Sequence, residues 1–322
     1  WILDELAPVR QMSPAAREAD VHLFRPEDTH RVEWGEAGAR EGENPPDGVS
    51  IHFLLGSRPD SLVTLEVVDG RGRTVRRYAS DPEAAADVGE EAGRIGELEG
   101  LGEGLNRVVW DFRHRPLTEV EGLFTYGSTE GRLAMPGSYD VRLRVGGASE
   151  TTDVRLMPDP RWDATQAQFR AQDRLVADAK EMADELFRAV NRERRAREEI
   201  DRAVERAGRH EGGDTVRAVG RELVDALEAW DTTVVQPRHE TFQDVVNFHN
   251  KLDAQILHLA ASVDGTVPPV TEGARQRLDD LEREWSERRR ALEEILARIE
   301  GFNALVREVG VPPVTAGAGD GG

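Results

Sequence analysis

Cysteine is absent from the 322 residues. Its absence excludes a disulfide framework, a thiolate zinc site and a cysteine nucleophile, and it leaves the compartment open. No run of 18 apolar residues occurs, so no segment has the length of a membrane span. Positive charge is in short supply: 42 Lys and Arg stand against 62 Asp and Glu, a formal net charge of −20. A surface of that sign repels nucleic acid and anionic membranes. Several chemical signatures are missing as well. There is no G-x-S-x-G elbow and no P-loop, and the eight His, at 22, 30, 52, 114, 210, 239, 249 and 258, form no HExxH pair or comparable cluster. The Gly-rich stretches "GEGLNR" and "GRIGELEGLGEG" carry no basic residue where a phosphate would need one. No cofactor, metal or catalytic residue is therefore assigned.

What is present falls into two halves with different periods. Before residue 158, short apolar runs alternate with Gly, Pro and Asp clusters. In "SYDVRLRV", Tyr139, Val141, Leu143 and Val145 point one way, while Ser138, Asp140, Arg142 and Arg144 point the other; this is the pattern of a half-buried strand. Similar runs lie at 20–24, 50–56, 61–68, 73–79, 105–113 and 149–156. "VVDGRGRTV" reads as a hairpin turning at Gly70 and Gly72, and "RVGGASE" as a second turning at Gly146 and Gly147. Such strand density predicts an immunoglobulin-like or fibronectin-like sandwich, with Trp110, alternating with Val108 and Phe112, in its core. Residues 81–104 read as disordered, and the connection 114–136 as packed.

After "MPDPRW" the period turns helical. Thr165 and Gln168 fit a capping box. A first helix is expected to about Ala207, on a seam of Val176, Ala179, Ala183, Leu186, Val190, Ile200, Val204 and Ala207. A second begins near Asp214 and carries Val216, Val219, Leu223, Ala226 and Trp230. A third carries Phe242, Val245, His249, Leu252, Ile256, Leu259 and Val263. A fourth runs from Leu278 through Trp285, Arg288 and Leu292 to Val309. The last two step 3-4-3-4, the spacing of a bundle seam. The sequence thus predicts a multidomain α+β chain: the sandwich, then a long antiparallel helical bundle, a three-layer coiled coil with its middle layer broken at Pro237.

Paired carboxylates suffice for glycosidase chemistry, and "EDTHRVEWGE" places Asp28 and Glu33 beside Trp34, an aromatic able to stack on a sugar. With Phe124 and Tyr126 of "LFTYG", these make a candidate carbohydrate contact. The run "NRERRAREE" at 191–199 reads as a solvated, salt-bridged helix face. Trp162 sits at the expected domain junction. His249 and Arg288 are the two polar positions on the seams; His249 is expected to be buried and hydrogen-bonded, and Arg288 to meet an acid or reach solvent. His239 and Glu240, after Pro237, read as exposed.

Motifs in order along the chain carry a resemblance. "WILDELAPVRQ" resembles the last strand of a β-propeller blade with its exit linker. "NPPDGVSIHFLL", "GLNRVVWDFR", "MPGSYDVRLRVGG", "MPDPRWDATQAQFRAQ" and "GFNALVREVGVPPV" resemble, in sequence, the sandwich hairpins, the helix entry and the closing turn of bacterial sortilin-like proteins, the BNR-repeat or Asp-box "glycosyl hydrolases". The resemblance implies a C-terminal region of a larger exported protein: propeller strand and linker at 1–12, sandwich at 13–157, linker at 158–164, bundle at 165–310 and disordered tail at 311–322. The family's hydrolase label belongs to the propeller, so whether the whole polypeptide is an enzyme stays open. The function implied for this piece is non-catalytic, an accessory and interaction region that braces the propeller of the same polypeptide, or that binds a protein or a second copy through the bundle. The alternative is a carbohydrate-binding module, or a contributor to a glycoside hydrolase site completed by the propeller.

Overall fold

The computed structural model describes residues 5–32, 44–87 and 92–315. The propeller-strand expectation for Trp1, Ile2 and Leu3 lies outside them. The chain is mixed α+β and divides into two units that interleave along the sequence. One comprises residues 1–116, 130–174 and 264–270; the other comprises 117–129, 175–263 and 271–322. Consecutive domains at 13–157 and 165–310 do not describe this division, because the segment Leu117–Thr129 belongs with the helices.

The first unit is strand-rich. Two short helices, α1 (Ala7–Gln11) and α2 (Pro14–Glu18), precede it. Strands β1 (Val21–Leu23), β3 (Val49–Leu55) and β7 (Gly104–Trp110) make a three-stranded antiparallel sheet in the order β1-β3-β7. The second sheet has six strands in the order β2-β9-β8-β4-β5-β6: β2 (Thr29–His30), β4 (Val63–Asp69), β5 (Thr74–Ala79), β6 (Gly96–Glu97), β8 (Gly137–Val145) and β9 (Ala148–Met157). The seven longer runs anticipated from the sequence all form strands. The alternation in β8 holds: Tyr139, Val141 and Leu143 are buried, while Ser138, Asp140 and Arg144 are exposed. In the β4–β5 turn it is Gly72, at φ 80°, that takes the left-handed conformation, while Asp69 Oδ1 accepts from the N–H groups of Arg71 and Arg73.

Apolar side chains of both sheets form one core. Trp110 lies at its centre with no exposed surface, edge-on to Tyr139 and Phe112, and its indole N–H donates to the Arg113 carbonyl at 2.8 Å. The segment 81–104 is not the disordered loop expected. It holds α3 (Pro82–Ala85), a 3-10 turn at Ala92–Arg94 and β6, and it buries Ile95 and Leu98. Residues 88–91 lie outside the described residues. Trp162 stacks on Phe169 at 6.4 Å with Arg31 over both rings, all inside this unit.

The helices are α4 (Gln166–Ala207), α5 (Gly213–Val234), α6 (Leu252–Asp264), α7 (Glu272–Ala297) and α8 (Ile299–Glu308). The capping box forms: Thr165 N–H donates to Gln168 Oε1 at 2.7 Å, and Gln168 N–H donates back to Thr165 Oγ1 at 3.3 Å. Gly220 sits where α5 meets α4 and α8; a Cβ there would lie 2.3 Å from Val204 and 3.2 Å from Phe302. Two helices are shorter than the periodicity suggests. The fourth breaks at Arg298, whose N–H bonds to the Ile295 carbonyl three residues back and tightens the turn. The third begins at Leu252, and residues 235–251 form a connector with a 3-10 turn at Asp244–Val246. The connector folds on its own hydrogen bonds. Asp244 accepts from the N–H groups of Glu240 and Thr241, and Gln236 Nε2 donates to the His249 carbonyl at 3.1 Å. His249 is consequently exposed, not a buried seam residue, and His239 is buried, with Nε2 2.9 Å from the Phe248 carbonyl.

Residues 311–315, assigned to the expected disordered tail, are held in place. Asn303 clasps Val314 through both amide atoms, at 2.9 and 2.7 Å, and Val311 and Val314 are buried. Residues 316–322 lie outside the described residues.

Replacing Trp110 with Ala removes the largest side chain of the strand core and strands the Arg113 carbonyl. The expected loss is about 3–5 kcal/mol of unfolding free energy, read from urea denaturation. A loss under about 1 kcal/mol would show that the ring does not hold the two sheets together.

Candidate functional site

The site is built from α4 outward. Lys180, Asp184, Phe187, Asn191 and Arg194 step 4-3-4-3 along one helix face. Each meets the loop 117–129. Lys180 Nζ donates to the Ser128 carbonyl at 2.8 Å, Asn191 Nδ2 to the Glu119 carbonyl at 2.7 Å, and Arg194 Nη1 to the Glu121 carbonyl at 3.0 Å. Asp184 Oδ1 accepts from the Thr118 N–H at 2.7 Å. The loop ends are pinched by Leu117 N–H to the Thr129 carbonyl at 2.8 Å, which makes this a compact Ω-loop. Beneath it lies a cavity of about 420 Å³ floored by Phe187. Gly127, at φ 151°, seats the loop on α6: a Cβ there would meet Leu257 at 2.8 Å.

The anchored loop carries Phe124 and Tyr126, both half-buried. They pack edge-on against Phe242 of the connector, with ring centroids 5.0 and 5.7 Å apart. Phe242 remains 66% exposed and Val246, one turn on, 85% exposed. The structure therefore joins Phe124 and Tyr126 of the sequence candidates to Phe242, a residue the heptad reading assigned to a buried seam. Asp28 is exposed-side and paired with Arg25 at 2.8 Å. Glu33 and Trp34 lie outside the described residues. Arg288 is half-exposed and meets Glu284 on its own helix at 3.7 Å, while its carbonyl accepts from the Trp230 indole at 2.7 Å.

The run 191–199 is divided: Arg195 and Glu198 are exposed and Arg192 pairs with Glu293, as a solvated, salt-bridged face would have it, but Glu193 turns inward. Glu193 has no exposed surface, and Asp231 of α5 and Asp253 of α6 are buried nearby in charge. Arg197 Nε approaches Glu193 Oε1 to 2.7 Å, but out of line with its N–H, so no hydrogen bond forms. Burial outweighs the attraction of Arg197 and, with Asp231 close by, pushes the Glu193 carboxyl up to about 8. Burial likewise raises Asp231, against Arg194 and Arg197, and moves Asp253 to about 6 against the Ala254 N–H and His239. Arg194 joins loop to cluster: one nitrogen holds the Glu121 carbonyl and another lies 3.6 Å from Asp231. The signal in the sequence was the gap in the α4 seam between Val190 and Ile200, which Glu193 and Arg197 fill.

Among the described residues no group of three His, Asp or Glu is arranged to hold a metal ion, and no helix is long and apolar enough to cross a membrane. No family model, curated protein or solved structure matches the chain.

A carboxyl whose folded value lies above its ordinary one stabilises the fold most below that ordinary value, and the stability is lost as pH rises through the folded value. For Glu193 this window runs from 4.5 to about 8. Glu193→Gln is expected to flatten it. Relative to the parent, the variant should gain on the order of 3 kcal/mol between pH 5 and pH 8, at about 1.4 kcal/mol per unit. Urea denaturation at the two pH values measures this; an unchanged difference would mean that Glu193 is ionised in the fold.

Proposed function

We propose that this chain is a non-catalytic accessory region of a larger, exported, sortilin-like propeller protein, and that its helical unit docks on that propeller through the Phe124–Tyr126–Phe242–Val246 patch. The observation that carries this reading is the patch itself. Phe242, 66% exposed, packs against two half-buried rings on a loop fixed by four side chains of α4, and Val246, 85% exposed, follows four residues on in the same connector. A rigid apolar surface with an aromatic centre is the composition of a protein-binding hot spot. Exposed Glu121 and Glu240 flank the rings in sequence, within a chain of net charge −20, so the complementary face is apolar and cationic.

The finer fold reading belongs to the same proposal. An immunoglobulin-like or fibronectin-like sandwich is supported by the two sheets sharing one core, by the buried Trp110, and by the Tyr139 hydroxyl bonding back to the Met135 carbonyl near the start of β8. A coiled-coil bundle is supported by the 3-4 spacing of Leu278, Leu281, Trp285 and Leu292, all buried.

The lack of cysteine supplies the test. Val246→Cys places the chain's one thiol on the patch, and its exposure makes a stability change of more than about 0.5 kcal/mol unexpected. Maleimide labelling should run at least tenfold slower in the whole polypeptide, with any other cysteines replaced, than in this chain alone. Equal rates would overturn docking on the propeller. Slowing that instead follows the concentration of this chain would assign the patch to a second copy.

A further inference from the structure

A second concavity lies in the helical unit, between α6 and the first turns of α7. It holds about 480 Å³, within the range of small-molecule sites. Its polar lining is Asn250, Gln255, His258, Ser262, Thr271 and Arg277, with Ala254, Leu259 and Ala274 as the apolar floor; no carboxylate lines it. That lining stands out in a chain where acids outnumber bases 62 to 42.

Arg277 lacks the partner its chemistry calls for. Arg277 is half-buried, and its guanidinium donates to the neutral Gln255 Oε1 at 2.5 Å; no carboxylate pairs with it among the described residues. Three other arginines of the same helix, Arg283, Arg288 and Arg289, each meet an acid, and Arg290 is exposed to solvent. A half-desolvated guanidinium favours an anion, and a carboxylate matches its fork of donors. Ser262, Thr271, His258 and Gln255 add groups that both donate and accept, the set that suits hydroxyls. The α7 N-terminus, capped by Thr271 Oγ1 on the Ala274 N–H, adds a favourable dipole for negative charge.

We infer that this groove binds a small polyhydroxy carboxylate, of the sugar-acid class, with its carboxylate on Arg277 and its hydroxyls on the polar groups of His258, Ser262 and Thr271. The inference is independent of the docking patch, which shares no residue with the groove.

Titration calorimetry of the full chain with galacturonate and gluconate, against the neutral galactose and sorbitol, tests it. Both acids should bind with at least tenfold higher affinity than their neutral counterparts. Arg277→Gln should lower the affinity for the acids at least tenfold and leave that for the neutral polyols unchanged. Arg277→Lys, which keeps the charge without the fork, should fall between. Ala274→Trp should fill the groove and abolish binding, with an unchanged circular dichroism spectrum. Failure of both acids to bind at tens of millimolar, equal affinity for acids and neutral polyols, or acid affinity unaffected in folded Arg277→Gln and Ala274→Trp chains would each overturn the assignment.

Discussion

Between Val190 and Ile200 the inward face of α4 keeps only Ala196 as a buried apolar residue, and the helical unit is arranged around that shortage. A helix satisfies its own backbone, so polar residues turned inward must find side-chain or foreign backbone partners. Asn191 and Arg194 find them in the loop 117–129, which the chain carries in from between the strands of the other unit. Glu193 finds no aligned donor, and burial raises its carboxyl above the ordinary range. One stretch of helix thus fixes the loop, sets the charge state of the interior, and holds Phe124 and Tyr126 against Phe242.

The buried ionisable groups pull the pH dependence of stability in opposite directions. Glu193 and Asp253 sit above their ordinary values, so their contributions fade as pH rises through about 8 and about 6. His114 is pushed down to about 3 by burial and by Arg132, so it is held neutral, and its contribution is lost as pH falls from 6.5 toward that value. The strand-rich unit is therefore weakened by acid through His114, and the helical unit by base through Glu193. Arg194 gives the second effect a structural outlet, because ionisation of Asp231 or Glu193 would compete with the Glu121 carbonyl for its guanidinium.

The strands were legible because their evidence is local. Alternation in β8, the glycine turns and the burial of Trp110 need only neighbours in sequence and one buried face. The capping box at Thr165 and Gln168 is equally local, and it formed as written. What misled was regularity without context. Phe242, Val245 and His249 extend the 3-4 spacing of α6 backward, yet Pro237 and the β-branched residues ahead of it let Asp244 and Gln236 capture the backbone first. Leu98 and Val314 lie in stretches whose Gly, Glu and Pro content suggests disorder, and each is held by a long-range contact that composition does not carry: a strand core for one, the Asn303 amide for the other. Of the candidate site, Phe124 and Tyr126 were visible as aromatics on a long connection, but their partner Phe242 was hidden by the same false seam.

The break in the third helix is thereby the step that gives the helical unit its exposed apolar surface. Had residues 242–251 continued α6, Phe242 would have been packed inside and Asn250 would have spent its amide on a helix flank. Instead the connector is closed by its own bonds, from Gln236 to His249 and from His239 to Phe248, so it is a built element and not a frayed end. It leaves Phe242 and Val246 outward at one end and Asn250 at the mouth of the α6–α7 groove at the other. Both features of the helical unit that are suited to recognition depend on that interruption, while the packed faces of α4 and α7 supply the rigidity that recognition requires.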